Sequence, residues 1–141
     1  MRTTLALALL ALAPLAAADD KKDKPEVKEI ATKDLKVTFP KEGKATEPAT
    51  VKTAEELKKN PVVGQSADEI AKQIDFAKQN LLVFAWAGSG QDRITASIGA
   101  GSDGKPIVYV ELLPGKTFDL REHVRLFAVP KDLKVVVERG R

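Results

Sequence analysis

Cysteine is absent from this chain, and its absence removes several chemistries at once. There is no disulfide framework, no thiol nucleophile, no cysteine metal site and no lipid attachment through a thiol. Aromatic residues are sparse: one tryptophan, one tyrosine and five phenylalanines. Carbohydrate recognition by a row of exposed rings has little to draw on. A large charge excess is missing too, with 23 Lys and Arg against 20 Asp and Glu. The basic residues form no single cluster, so the footprint expected of a nucleic-acid binder is lacking. Finally, no apolar run approaches a membrane span. The longest, 5–15, is about eleven residues, where a spanning helix needs roughly twenty.

That short run is nonetheless informative. Arg2 precedes it, Ala16, Ala17 and Ala18 follow it, and Asp19 and Asp20 change the character at once. A basic start, an apolar middle and small residues before a polar stretch are the layout of a secretory signal peptide, 1–18, cleaved after Ala18. The competing reading is an uncleaved anchor, for which the run is short. The expected location is periplasmic or extracellular. Only Arg2 of the charged residues is lost on cleavage, which leaves a balance of +2. A chain held outside the cell without disulfides depends on its apolar core, and its length suits one domain with a tail.

The region 19–34 opens with an unbroken run of Asp and Lys over 19–24 and reads as a charged, disordered tether. The domain itself is expected over 35–141. Leu35, Val37 and Phe39 alternate with polar residues as a strand candidate, and 50–52 suggests a briefer one. Thr53 stands three before Glu56, and Ser66 three before Glu69, each the spacing of a capping box. The first predicts a helix over 54–59, stopped before Pro61. The second predicts a longer helix, with Ala67, Ile70, Ala71, Ile74 and Ala77 on one stripe.

From Leu81 the period changes to two. Residues 81–87 are apolar throughout, as a strand covered on both faces would be. Four more strands follow, marked by Ile94, Ala96 and Ile98; by Val108, Val110 and Leu112; by Val124, Leu126 and Ala128; and by Leu133, Val135 and Val137. The links 88–91, 99–105 and 130–132 are short, which favours antiparallel hairpins; only 113–120 is longer. The expected fold is α+β: an antiparallel sheet of about five strands, open or partly curled into a barrel, preceded by two helices.

Motif matches fail on context. The spacing of Gly99, Gly101 and Gly104 fits a dinucleotide fingerprint, but a strand follows where a helix must begin, so a flexible hairpin loop is expected. Gly88, Ser89 and Gly90 lack the full nucleophile-elbow pattern and again lead into a strand; a tight turn using positive φ is the plainer reading. His123 is the only histidine, and strand periodicity sends Glu122 to the opposite face, which dissolves a local metal cluster. Asp92 and Glu111 can approach across strands, but the paired carboxylates of glycoside chemistry are not evident. Neither cofactor nor metal is expected.

Five residues remain as a candidate ligand or partner surface: Trp86, Asp92, Arg93, His123 and Arg125. Trp86 and Phe84 share one side of their strand and are expected to pack against a helix, the alternative being an exposed aromatic platform. Arg93, Thr95 and Ser97 form one polar face, His123 and Arg125 part of another. Were the two to coincide, an anion or carboxylate would find a binding site there.

Across 53–138 the chain resembles the PrcB-like domain, a family named for a bacterial subunit that stabilises a protease complex at the cell surface. The resemblance rests on the runs beginning at Thr53, Ile74 and Leu82, the alternating strand from Ile94 and the Leu126 to Lys131 segment. The glycine-glycine-tyrosine turn common in such domains is replaced here by Ser89, Gly90, Gln91 and Asp92. The resemblance implies an exported, non-catalytic domain that binds protein. The composite expectation is therefore a non-enzymatic interaction or accessory domain, with a small-ligand or anion-binding module on Arg93, His123 and Arg125 as the alternative.

Overall fold

A computed structural model describes residues 24–40, 44 and 46–140. The signal peptide 1–18 and the first part of the tether lie outside them. In chain order the elements are β1 (Lys28–Ile30), β2 (Ala49–Val51), α1 (Ala54–Lys59), a single 3-10 turn (Gly64–Ser66), α2 (Ala67–Ala71), β3 (Gln79–Ser89), β4 (Arg93–Ala100), β5 (Pro106–Leu113), β6 (Leu120–Pro130) and β7 (Lys134–Arg139). The class is α+β with open sheets. No helix among the described residues is long and apolar enough to cross a membrane.

The strands form two sheets, ordered β1-β6-β3-β2 and β4-β5-β7. The long central pair β3–β6 divides the core in two. Leu81 and Val83 of β3, with Val124, Leu126 and Ala128 of β6, face the short helices and bury Leu57, Val63 and Ile70. Leu82, Phe84 and Trp86, with Phe127 and Val129, face the second sheet and meet Ile94, Val108, Val110 and Leu112. The unbroken apolar run of β3 is thus explained as expected, by cover on both faces. Phe84 and Trp86, however, pack against the second sheet and not against a helix.

Local chemistry explains most of the helical layer. Thr53 caps α1, its hydroxyl accepting from Glu56 N at 3.1 Å, while the Glu56 carboxylate accepts from Lys52 N at 2.7 Å. Asn60 ends it, its side chain accepting from the amides of Val62 and Val63 at 2.9 and 3.2 Å. The second capping box does not form. Ser66 is buried and its hydroxyl takes the Lys36 amide at 2.8 Å, which pins the extended 35–39 segment over the helices. Leu35, Val37 and Phe39 pack on the core from that segment, yet it joins no ladder. The stripe predicted to Ala77 ends at Ala71, and the Asp75 carboxylate turns the chain by accepting from Ala77 N at 3.0 Å.

Three expectations are corrected by the pairing. The tether 19–34 is not all outside the fold: Lys28–Ile30 pairs with Leu126–Ala128 of β6, and Ile30 is buried. The two short strands β1 and β2 precede the helices. Links 88–91 and 130–132 are not hairpins but corners, each passing the chain from one sheet to the other. Only 99–105 joins neighbours, β4 and β5, with Gly104 at φ +77° in its loop. β5 and β7 run parallel, because β6 itself, lying in the other sheet, serves as the long crossover that a parallel pair needs.

Candidate functional site

Strands β3 and β6 pair over eleven residues each, but their partners are short. β1 covers only 126–128 and β2 only 81–83. The ribbon therefore projects beyond them at the end where β3 turns into β4 and where 113–120 enters β6. Polar groups converge there.

Trp86 lies directly opposite His123 in the register, and their rings stack at 4.8 Å and 17°. The indole N–H donates to Asp92 Oδ2 at 3.1 Å, and the other Asp92 oxygen accepts from Gly115 N at 2.7 Å. His123 Nε2 stands 2.8 Å from the Ser89 carbonyl. A carbonyl only accepts, so Nε2 carries the proton in this arrangement. Ser89 Oγ bonds Thr117 Oγ1 at 2.6 Å and accepts from Thr117 N at 3.2 Å. Asp119 accepts from Gly90 N at 3.2 Å and pairs with Arg121 Nε at 2.7 Å. The hydroxyl of Thr117, then the Gly90 amide, hold the Asp119 carboxyl below its ordinary pKa.

A side chain at the glycines of this corner would displace groups that build it. Neither Gly88 nor Gly90 has positive φ, contrary to the turn expected. A Cβ at Gly88 would strike the Asp92 carboxylate, and one at Gly90 would strike Asp119. Gly115 lies against the backbone of Gln91, where a Cβ would come within 2.7 Å of a carbonyl carbon. The result is a cradle that fixes 113–120 to the β3–β4 corner by at least five hydrogen bonds.

The five candidates separate. Trp86, Asp92 and His123 come together in the cradle. Arg125 is two residues along β6 on the same face as His123 and is paired with Glu29 at 3.6 Å. Arg93 is exposed on the outer face of the second sheet, since its neighbour Ile94 points inward to the core. The two polar faces do not coincide, and no arginine-lined anion site is assembled from Arg93, His123 and Arg125. Nor does His123 address a nucleophile, because Nε2 faces the Ser89 carbonyl and Oγ is held by Thr117. No group of three or more metal-ligating side chains occurs among the described residues. Two open grooves, of about 420 and 550 Å³, include none of the five.

Large apolar side chains are exposed on the segment that the cradle holds. Phe118 is fully exposed at 107 %, Leu120 is 79 % exposed and Leu113 36 %; these are the exposed large hydrophobics of the described residues, and all fall within 113–120. Sequence reasoning passed over them because loop residues carry no periodicity. The available signal was an aromatic residue in the longest link between strands. Comparison with known protein families, curated proteins and solved structures returns no match.

Proposed function

We propose that the chain is an exported, non-enzymatic interaction domain that presents 113–120 to another exported protein. The observation that carries this reading is the placement of Phe118 and Leu120: two large apolar side chains, exposed on a segment that hydrogen bonds tie to the β3–β4 corner. A lone exposed apolar residue needs no explanation, but an ordered cluster of them is the composition of an interface core. Prior ordering reduces the entropy lost on association. The resemblance to PrcB-like domains is in accord with the same role. The anion-binding alternative lacks its constellation, since Arg93 stands on another face.

A photoactivatable residue at position 118, compared with one at exposed position 69 of α2, tests this in the envelope fraction. The expected result is a discrete protein adduct from 118 alone, lost in a Leu120→Ser background. With the captured partner purified, Phe118→Ala is expected to weaken binding about tenfold or more, as truncation of a central aromatic anchor does. Equal labelling from both positions, or none from 118, overturns the reading.

A further inference from the structure

The β6 strand has one edge bonded to β3 along its whole length, and the other bonded to β1 only at Leu126–Ala128. β1 stops because the chain turns away after Ile30, with Leu35 N donating to Thr32 O at 3.1 Å. Beyond it, over 120–125, no strand among the described residues takes the second edge. No proline blunts this stretch, since Pro130 sits at the far end of the strand. An unpaired row of N–H and C=O groups is a template for another strand.

The side chains along this edge say what kind. Successive residues alternate faces, so Arg121, His123 and Arg125 lie on one face and Leu120, Glu122 and Val124 on the other. β1 already shows how such an edge is read: its Glu29 lies opposite Phe127 and reaches diagonally to Arg125 at 3.6 Å. Arg121, although its Nε is taken by Asp119, keeps a side chain 69 % exposed.

We infer that the edge of β6 over 120–125 takes an extended acidic segment of another polypeptide as an added strand, continuing the line of β1. Carboxylates at every second position of that segment lie beside Arg121, His123 and Arg125, as Glu29 does. Apolar residues between them lie beside Leu120 and Val124. A slip of one residue would move the carboxylates to the face of Glu122 and the apolar groups to the arginines, so charge sets the register. Main-chain bonds supply affinity and the alternate side chains supply selectivity. The inference rests on the interaction reading above and names its partner class, with Phe118 and Leu120 flanking the same edge.

The test uses the full chain and three synthetic seven-residue peptides: alternating glutamate and valine, alternating lysine and valine, and the glutamate peptide N-methylated on alternate amides. Amide hydrogen exchange is followed residue by residue. The glutamate peptide is expected to slow exchange at 120–125, and the other two to leave it unchanged. Arg121→Glu, which spares the Glu29–Arg125 pair, is expected to weaken the glutamate peptide at least fivefold. Equal protection by the lysine peptide, protection only at β4 or β7, or protection at 120–125 without peptide through self-association would each overturn the inference. If position 118 crosslinks a partner while the peptide leaves 120–125 unprotected, strand addition is wrong and the interaction reading stands. If the peptide protects the edge and 118 captures nothing, the edge binds and the role assigned to 113–120 is wrong.

Discussion

The two ends of the β3–β6 ribbon are made of the same two strands in one continuous register, yet different physics holds each. At the end formed by 79–83 and 126–130 both faces are covered, and β2 and β1 pair with the edges over 81–83 and 126–128. Leu81, Leu82, Leu126 and Ala128 are buried there, between helices on one side and the second sheet on the other. At the end formed by 84–89 and 120–125 β1 and β2 have stopped and the last buried apolar side chains are Phe84, Trp86 and Val124; past them the contacts become hydrogen bonds among Ser89, Gly90, Asp92, Gly115, Thr117 and Asp119. Apolar burial scales with area and acts cooperatively, whereas each exposed hydrogen bond adds a net of about 1 kcal/mol. The covered end carries the fold. The projecting end, beyond Trp86 and Val124, can vary at little cost to it.

Phe84 stands where the two regimes meet, fully buried and edge-on to Phe127 at 6.0 Å. Phe84→Ala is expected to cost about 3 to 5 kcal/mol, read as a lower urea midpoint and thermal midpoint for the whole domain. A loss confined to 113–120 would break the division proposed between the ends. Trp86→Phe keeps most of the apolar volume but withdraws the donor from Asp92, for an expected cost of about 1 to 3 kcal/mol. Hydrogen exchange should rise chiefly at 113–117 and at the β3–β4 corner; uniform acceleration across β1 and β2 would show the ends to be one cooperative unit. On the helical side, Thr53→Ala removes the cap of α1 and is expected to cost about 1 kcal/mol in chemical denaturation, leaving the cradle amides unchanged.

Acid gives the smallest effect. The Asp119 carboxyl is held below its unfolded value of 3.8 by Thr117 and Gly90, so its contribution is complete above that value and disappears as pH falls through the lower folded value. Because the group is exposed, the consequence is local. Proteolytic sensitivity of 113–120, compared between pH 5 and pH 3 with an acid-active protease, should rise on acidification in the native chain and change less in Asp119→Asn.

Much of this architecture was legible along the chain. The two-sided apolar run of β3 announced its central place, and the Thr53–Glu56 spacing announced the start of α1. The alternation at Ile94, Val108, Val124 and Val135 located the remaining strands. Trp86, Asp92 and His123 were singled out separately and do meet. Their meeting was not legible, because it depends on the Trp86–His123 register and on a turn that brings Asp92 back over the indole. Arg93 failed for the complementary reason: a polar alternation shows that a strand has a wet face, but not which sheet owns it. Short links suggest hairpins because link length reports local distance alone. A corner between stacked sheets is equally short, and a whole strand can act as a crossover. Lys28–Ile30 was hidden in a charged context where three residues have no period to display.

Local composition, by itself, determined where this chain is extended, where it is helical and which side of each strand is apolar, because those properties follow from bond geometry and the cost of leaving apolar surface in water. Tertiary structure alone decided that the strands divide between two sheets, that Ser66 serves the 35–39 segment and not a helix end, and that Phe118 and Leu120 remain outside. Each of those outcomes turns on which distant residue occupies the adjacent space, and sequence spacing carries no measure of that.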